Sequence, residues 1–460
     1  MSYLPHTPEE RDEMLRAIGV ESVDDLFSNV PEGLRSGPLP IPQGISEMEV
    51  LRLLQSLASE NLNLDTHPGF LGGGAYHHYI PAAVGAITGR SEFYTSYTPY
   101  QAEVSQGTLQ AMYEYQTMVA ELTGLDISNA SLYDAATAIT EACTIAINQT
   151  RRERVAVLGG LNPEYRKVIE TYMHAQDFEV LDIPETWTLD PADLEAALDD
   201  TIAGVIVQSP NFWGALERMP QLTDAAHAHG ALVIVVGNPL SYALLTPPGE
   251  YSADVAVGCG QPFGIPLSYG GPYLGIMATR AGLERRLPGR IAGETVDYTG
   301  KRGFVLTLQA REQHIRREKA TSNICTNHQL MALAATVYLS LMGKQGIRDL
   351  ANQCVQRAHY AAGRLVEIPG FSLAFEAPFF NEFTLRAPVP AAEVNRFLLS
   401  RGIVGGVDLG TVSGDMGDCL LLAFTEMNSR QQIDDLVTTL HQLQPQTAAE
   451  FVAGATGGAS

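Results

Sequence analysis

The chain has 460 residues, too many for one small core, and its 45% apolar content is ordinary for a soluble globular protein. Its net charge of −23 is spread along the chain and argues against nucleic acid, whose binding rests on neutralised phosphates. The apolar runs fall well short of the roughly 20 residues of a membrane span, no apolar signal core opens the chain, and Cys143, Cys259, Cys325, Cys354 and Cys419 have neither disulfide-framework nor zinc spacing. The expectation is a cytoplasmic protein with no membrane segment and no metal.

Residues 1–65 read as a helical arm. Thr7-Pro8-Glu9-Glu10 is a helix start with a capping box, a second short helix runs over 22–27, and Ser46 opens a third that places Met48, Leu51, Leu54 and Leu57 at helical spacing. A Pro/Gly-rich connector, 31–44, lies between them. Residues 66–328 read as a large α/β domain. Strands are expected at 155–158, 178–181, 204–207, 231–236, 255–257 and 273–277, with helices at 163–175, 190–198 and 222–229 between them. These strands are continuous apolar runs, the pattern of strands buried on both faces of a parallel sheet. Residues 329–445 read as a smaller α+β domain with two successive long helices, 329–341 and 346–366, and 446–460 as a disordered tail.

Five segments could carry chemistry. Tyr94, Tyr97 and Tyr100 crowd ahead of a helix expected to begin at Thr98-Pro99-Tyr100-Gln101, which has the form of a capping box; hydroxyls and free N–H groups there would suit an anion. Gly72-Gly73-Gly74 precedes Tyr76-His77-His78-Tyr79, where glycines permit close backbone approach; no acidic or cysteine partner has metal spacing nearby. Asn129-Ala130-Ser131 leads towards a helix expected from Ile139, as a phosphate-binding turn or an ordinary helix N-terminus would. Residues 258–272 hold three prolines and five glycines and form a shaped loop. Residues 301–326 concentrate Arg311, His314, Arg316, Arg317 and Lys319, either as a helix face balanced by Glu312 and Glu318 or as a site for an anionic ligand or acidic partner.

These blocks together resemble the glycine dehydrogenase (decarboxylating) family, the P-protein of the glycine cleavage system, and in particular its N-terminal-half subunit 1. The resemblance rests on 97–107 (Tyr-Thr-Pro-Tyr-Gln-Ala-Glu-Val-Ser-Gln-Gly), 113–118, 122–126, Asn129-Ala130-Ser131 and 311–326, and runs from about residue 3 to 443. It implies a pyridoxal 5'-phosphate (PLP) fold type I architecture, a mostly parallel large domain with a smaller α+β C-terminal domain. It also implies an α2β2 assembly with subunit 2 and the lipoyl H-protein as partner. The reaction would remove CO2 from glycine and pass the aminomethyl group to the lipoyl arm.

Such chemistry needs a lysine to hold PLP and a carboxylate on its pyridine nitrogen. In the sister subunit a His-Lys-Thr-Phe loop carries that lysine; here Gln261 stands in the corresponding place, and Val236 stands where the aspartate would be. An amide forms no imine. The four lysines of the chain, Lys167, Lys301, Lys319 and Lys344, offer no obvious substitute. The expectation is a subunit that does not anchor PLP and leaves it to its partner. Tyr97, Thr98, Tyr100, Gln101, Glu103, Arg311, His314, Arg316 and Arg317 would line the shared active-site wall. A pure scaffold and a self-sufficient PLP enzyme using another lysine are the alternatives.

Overall fold

The computed structural model describes residues 6–37, 40–42, 44–184 and 187–443; the tail from 446 and parts of the Pro/Gly connector lie outside them. The chain divides into two compact units, Met1–Leu62 and Asn63–Ser460.

The first unit carries helix α1 (Pro8–Ile18), a 3-10 turn over Val23–Phe27 and helix α2 (Glu47–Ala58). The expected capping box of Thr7 with Glu10 forms, and Ser46, expected only to open its helix, forms another with Glu49. Acidic residues in the first turns complement the positive helix ends. The unit has almost no core. Only Leu15 is buried in α1, and α2 buries nothing, leaving Met48, Leu51, Leu53, Leu54 and Leu57 each more than half exposed.

In the second unit seven strands form one sheet: β1 (Ile127–Ser128), β2 (Arg154–Leu158), β3 (Glu179–Ile183), β4 (Ile202–Gln208), β5 (Leu232–Gly237), β6 (Val255–Cys259) and β7 (Gly275–Thr279). Their order is β1-β7-β6-β5-β4-β2-β3, with β2 to β6 parallel and β7 and β1 antiparallel at one edge. Both faces are apolar because successive side chains alternate between two cores. Val155, Val157, Ile234, Val236 and Val257 face one, with helix α3 (Ala135–Thr150) against it; Ala156, Leu158, Val205, Val207, Val233 and Val235 face the other. This is the physical origin of the continuous apolar runs.

A hairpin follows, β8 (Ile291–Val296) with β9 (Arg302–Thr307), then short turns to residue 319. The basic segment is therefore a strand and broken turns, not the helix face considered above. Its signal was Asp297-Tyr298-Thr299-Gly300, where the Asp297 carboxylate accepts from the N–H groups of Thr299 and Lys301. Two helix starts also differ from expectation. Thr98 caps nothing: apart from a 3-10 turn over Ala102–Val104 the chain is irregular until helix α4 (Gln106–Thr123), whose N-cap Ser105 makes no side-chain bond. The helix expected from Ile139 begins four residues earlier, at Ala135, because Asp134 and Thr137 form the capping box.

The two long helices form one continuous run, α5 (Gln329–Leu365), interrupted at Gly343, whose φ of 61° and ψ of 179° only glycine adopts readily. This helix is long and apolar enough to cross a membrane by length and composition, which the sequence expectation had not allowed for. Its buried residues, including Ala332, Ala335, Tyr338, Leu350 and Ala351, join a protein core with Tyr115 and Val119 of α4. The last sheet, β10 (Ser372–Leu373), β11 (Glu382–Arg386), β12 (Val407–Asp408) and β13 (Cys419–Ala423), is antiparallel in the order β10-β11-β13-β12. Helices over Ala391–Leu399 and Arg430–His441 cover it.

Candidate functional site

In an open parallel sheet, ligands bind beyond the carboxyl ends of the strands. A cavity lies there, lined by Gln208 of β4, Val236 and Gly237 of β5, and Gly258 and Cys259 of β6, with Tyr76, Tyr165 and Glu382 closing it. It holds about 30 Å³. That is room for water, since each molecule needs roughly 10–15 Å³, whereas cofactor pockets span hundreds.

The closing groups are tightly bonded. Gly72 and Gly73 bring the backbone against Glu382: a Cβ on Gly72 would lie 2.0 Å from Oε1. The Gly73 N–H donates to Glu382 Oε1 at 2.6 Å and the Tyr76 hydroxyl to Oε2 at 2.7 Å. Burial pushes the Glu382 carboxyl up to about 7, although both hydrogen bonds favour its ionised form. Asn238 Nδ2, Asn381 Nδ2 and the Tyr242 hydroxyl are buried here without hydrogen-bond partners among the described residues.

Gln261 is 1% exposed and fully engaged. Its Oε1 accepts from the Tyr76 N–H at 2.9 Å, and its Nε2 donates to the carbonyls of Tyr76 at 2.8 Å and Ile265 at 2.9 Å. The side chain is a staple between two backbone segments. Val236 is 2% exposed and packs in the sheet core. At the N-terminus of α3 the Asp134 carboxylate accepts from the Thr137 N–H at 2.8 Å, the cap of an ordinary helix N-terminus. With no lysine among its lining residues, Val236 in place of a carboxylate and little space, this cavity does not fit PLP.

The conspicuous tyrosines and basic residues gather elsewhere. Tyr97 is 75% exposed and Tyr100 52%, and Gln101, Glu103, Arg316 and Arg317 are also exposed. The Tyr100 and His314 rings meet edge to face at 6.2 Å. Arg290, which sequence reasoning missed, and Glu312, read there only as a balancing charge, hold this arrangement. Arg290, 1% exposed, donates to the Tyr100 hydroxyl at 3.0 Å and to the Cys325 carbonyl, and Glu312 lies 3.9 Å from its Nε. Nothing local in the sequence marks Arg290, whose contacts come from 22 to 190 residues away.

Two expected wall residues face inward. Thr98 is buried, with its hydroxyl 3.4 Å from that of Thr326. Arg311 spends its guanidinium on backbone carbonyls, donating to Leu308 at 3.0 Å, Gly289 at 2.6 Å and Leu287. It is a loop anchor, and desolvation lowers its pKa. Arg311→Ala is expected to destabilise the chain by roughly 2–3 kcal/mol, since three acceptors lose their donor. Arg311→Lys should recover only part, because an ammonium cannot reproduce the fork. Urea denaturation of the three proteins checks this.

His78 finds the partners its sequence neighbourhood lacked. Its Nδ1 lies 2.8 Å from Glu426 Oε2, which also accepts from the Cys354 thiol at 3.6 Å, while Oε1 accepts from the Tyr79 N–H at 2.6 Å. The three side chains place ligand-type atoms within 4.8 Å of one another. Burial works to raise the Glu426 pKa, but His78 and the Tyr79 N–H hold it below the usual carboxylate value. The group is a hydrogen-bonded knot joining residues 78–79, α5 and the loop after β13, with His78 Nε2 buried and unpartnered among the described residues.

Comparison with solved structures defines the class first. The chain superposes on a Burkholderia pseudomallei sphingosine-1-phosphate lyase with a TM-score of 0.63 at 16% identity, covering 94% of this chain and 96% of that one. For a Lactobacillus brevis glutamate decarboxylase the values are 0.66, 13%, 92% and 97%. At such identities the likeness shows the fold alone, that of the PLP-dependent fold type I enzymes.

Closer relatives narrow it further. A glycine decarboxylase (P-protein) of the glycine cleavage system, solved in inhibitor-bound form, matches with a TM-score of 0.87 at 45% identity over 96% of this chain and 100% of that one. A probable glycine dehydrogenase (decarboxylating) subunit 1 from Thermomicrobium roseum is 50% identical, covering 96% of this chain and 99% of its own. Its counterpart from Anoxybacillus flavithermus is 48% identical, with 95% and 98% covered. Residues 1–440 match the glycine cleavage system P-protein family, and the chain belongs to it.

Proposed function

We propose that this chain is the non-PLP-anchoring subunit of a cytoplasmic glycine decarboxylase. It pairs with a PLP-bearing subunit 2 as α2β2 to remove CO2 from glycine and pass the aminomethyl group to the lipoyl arm of an H-protein. PLP supplies the electron sink and belongs to the partner; no step runs through this chain's own cavity. The observation that carries the reading is Gln261: where a Schiff-base lysine would stand, a buried amide is locked by three backbone hydrogen bonds.

The role left to this chain is to line and shield the partner's site. Tyr97, Tyr100, Gln101, His314, Arg316 and Arg317 expose hydroxyls, an amide and basic groups suited to an anionic substrate or cofactor across an interface, and Glu103 exposes a carboxylate that could pair with a basic group there. Thr98 and Arg311 support that face from behind. The exposed apolar side of α2 and the exposed aromatics give a second chain something to bury.

Borohydride trapping tests the assignment. Each chain, alone and mixed, is incubated with PLP, reduced and mapped by peptide mass spectrometry. Label on the partner alone, with glycine decarboxylation only in the mixture, is the expected result. Label on Lys167, Lys301, Lys319 or Lys344 would make this chain an enzyme in its own right. A scaffold role would instead leave turnover per assembled complex unchanged in Tyr97→Phe and Arg317→Ala variants.

A further inference from the structure

The half-exposed Tyr100 is not an ordinary surface tyrosine. Its hydroxyl accepts a hydrogen bond from Arg290 Nη2 at 3.0 Å, and the Arg290 carbon lies 5.1 Å from the centre of its ring. A guanidinium has only donors to offer. The phenolic oxygen is thus the acceptor of that bond, and its own proton must point elsewhere. The nearest other group is Cys325 Sγ at 4.0 Å, a weak acceptor. Desolvation raises the Tyr100 pKa, so the proton stays on the oxygen.

Arg290 is itself fixed. It donates to the Cys325 carbonyl and its Nη2 lies 3.6 Å from Cys325 Sγ, while its Nε and Glu312 Oε2, both buried, face each other at 3.9 Å without a hydrogen-bond partner among the described residues. His314 stands 3.6 Å from the same carboxylate oxygen, on the solvent side. A buried cation paired to a buried carboxylate therefore stands behind one exposed phenol.

We propose that Arg290 is a positioning residue for the decarboxylase site: it polarises Tyr100 and turns its O–H outward as a donor to an anionic oxygen of the ligand across the subunit interface. This rests on the reading that the Tyr97–Glu103 face borders the partner's site. Two ligand groups share the required chemistry, the carboxylate of glycine and the phosphate of PLP, and the measurements separate them.

The test uses the assembled two-subunit enzyme carrying Tyr100→Phe, Arg290→Lys or both. Melting temperature and gel-filtration volume are recorded for each. The readouts are kcat and KM for glycine, the PLP dissociation constant, and the glycine-induced change in the cofactor absorption band. Tyr100→Phe is expected to lower kcat/KM about tenfold, the worth of one hydrogen bond to a charged group. A rise in KM and a weakened glycine-induced band shift mark the carboxylate; weaker PLP binding marks the phosphate. Arg290→Lys should reproduce most of that loss, and the double variant should be no worse than Tyr100→Phe, because Arg290 acts through Tyr100.

If Tyr100→Phe impairs the enzyme but Arg290→Lys does not, or if the two losses multiply, the positioning role is wrong while the interface reading stands. If Tyr100→Phe changes nothing in an intact assembly, the interface reading of Tyr100 fails and this inference with it. Should Arg290→Lys not assemble, Glu312→Gln takes its place. It disturbs the same guanidinium at Nε rather than at the Nη2 that meets Tyr100, and should move the same parameter in the same direction; no change in an intact assembly overturns the proposal.

Discussion

Gln261→Lys is expected to leave the chain unable to hold PLP and to destabilise it by roughly 3–5 kcal/mol. A lysine there could donate to the carbonyls of Tyr76 and Ile265, but it has no acceptor for the Tyr76 N–H, which Gln261 Oε1 now satisfies. It would also bury an ammonium at a position 1% exposed, with only backbone groups as its bonded neighbours. The cofactor could not follow, because the cavity beyond the strands holds about 30 Å³ and Val236 offers no charge for a pyridinium. Denaturation curves and borohydride trapping on the variant decide the point. A stable Gln261→Lys protein that retains PLP would mean that a single residue, and not the whole pocket, separates this chain from a cofactor-bearing one.

The second large effect concerns pH. The Glu382 carboxyl sits at about 7 against an ordinary 4.5, so the folded state prefers it protonated. A folded pKa raised above the unfolded one gives stability that is complete below about pH 4.5 and is lost as pH rises through 7. Glu382→Gln keeps the shape and removes the charge. The variant should exceed the wild type in stability at pH 8 by roughly 2–3 kcal/mol, with the difference closing towards pH 5. Glu141 is likewise raised to about 7 by burial, so some pH dependence should survive. Urea titrations at pH 5.5 and 8 measure both slopes. Equal slopes for wild type and Glu382→Gln would show that this carboxyl is ionised throughout.

What the sequence disclosed follows from the range of the forces involved. The parallel strands were legible because two buried faces demand unbroken apolar runs, and the arm helices because their capping boxes are local. Thr98 was misread for the converse reason. Its Thr-Pro-x-Gln pattern satisfies every local rule for a helix start, yet Thr98 is buried against Thr326 and the helix waits until Gln106. Arg311 shows the limit of reading charge as availability, since its guanidinium is committed to three carbonyls. Glu382 and Arg290 had no local signature at all: Glu382 meets Gly73 and Tyr76 from more than 300 residues away. The replacement at Gln261 could be seen only against a family pattern; its three hydrogen bonds explain why the exchange is tolerated.

The exposed apolar side chains of the free chain bear on its supply in the cell. Met48, Leu51, Leu53, Leu54 and Leu57 on α2, and separately Tyr94, Tyr97, Tyr100 and Val104, all lie open to water. A copy without a companion carries these surfaces into every collision, and contiguous apolar surface of that kind drives aggregation and capture by quality control. Surplus synthesis of one chain is therefore wasteful at best. Supply matched to that of a partner that buries it, with assembly soon after translation, is the arrangement under which such a surface persists without harm.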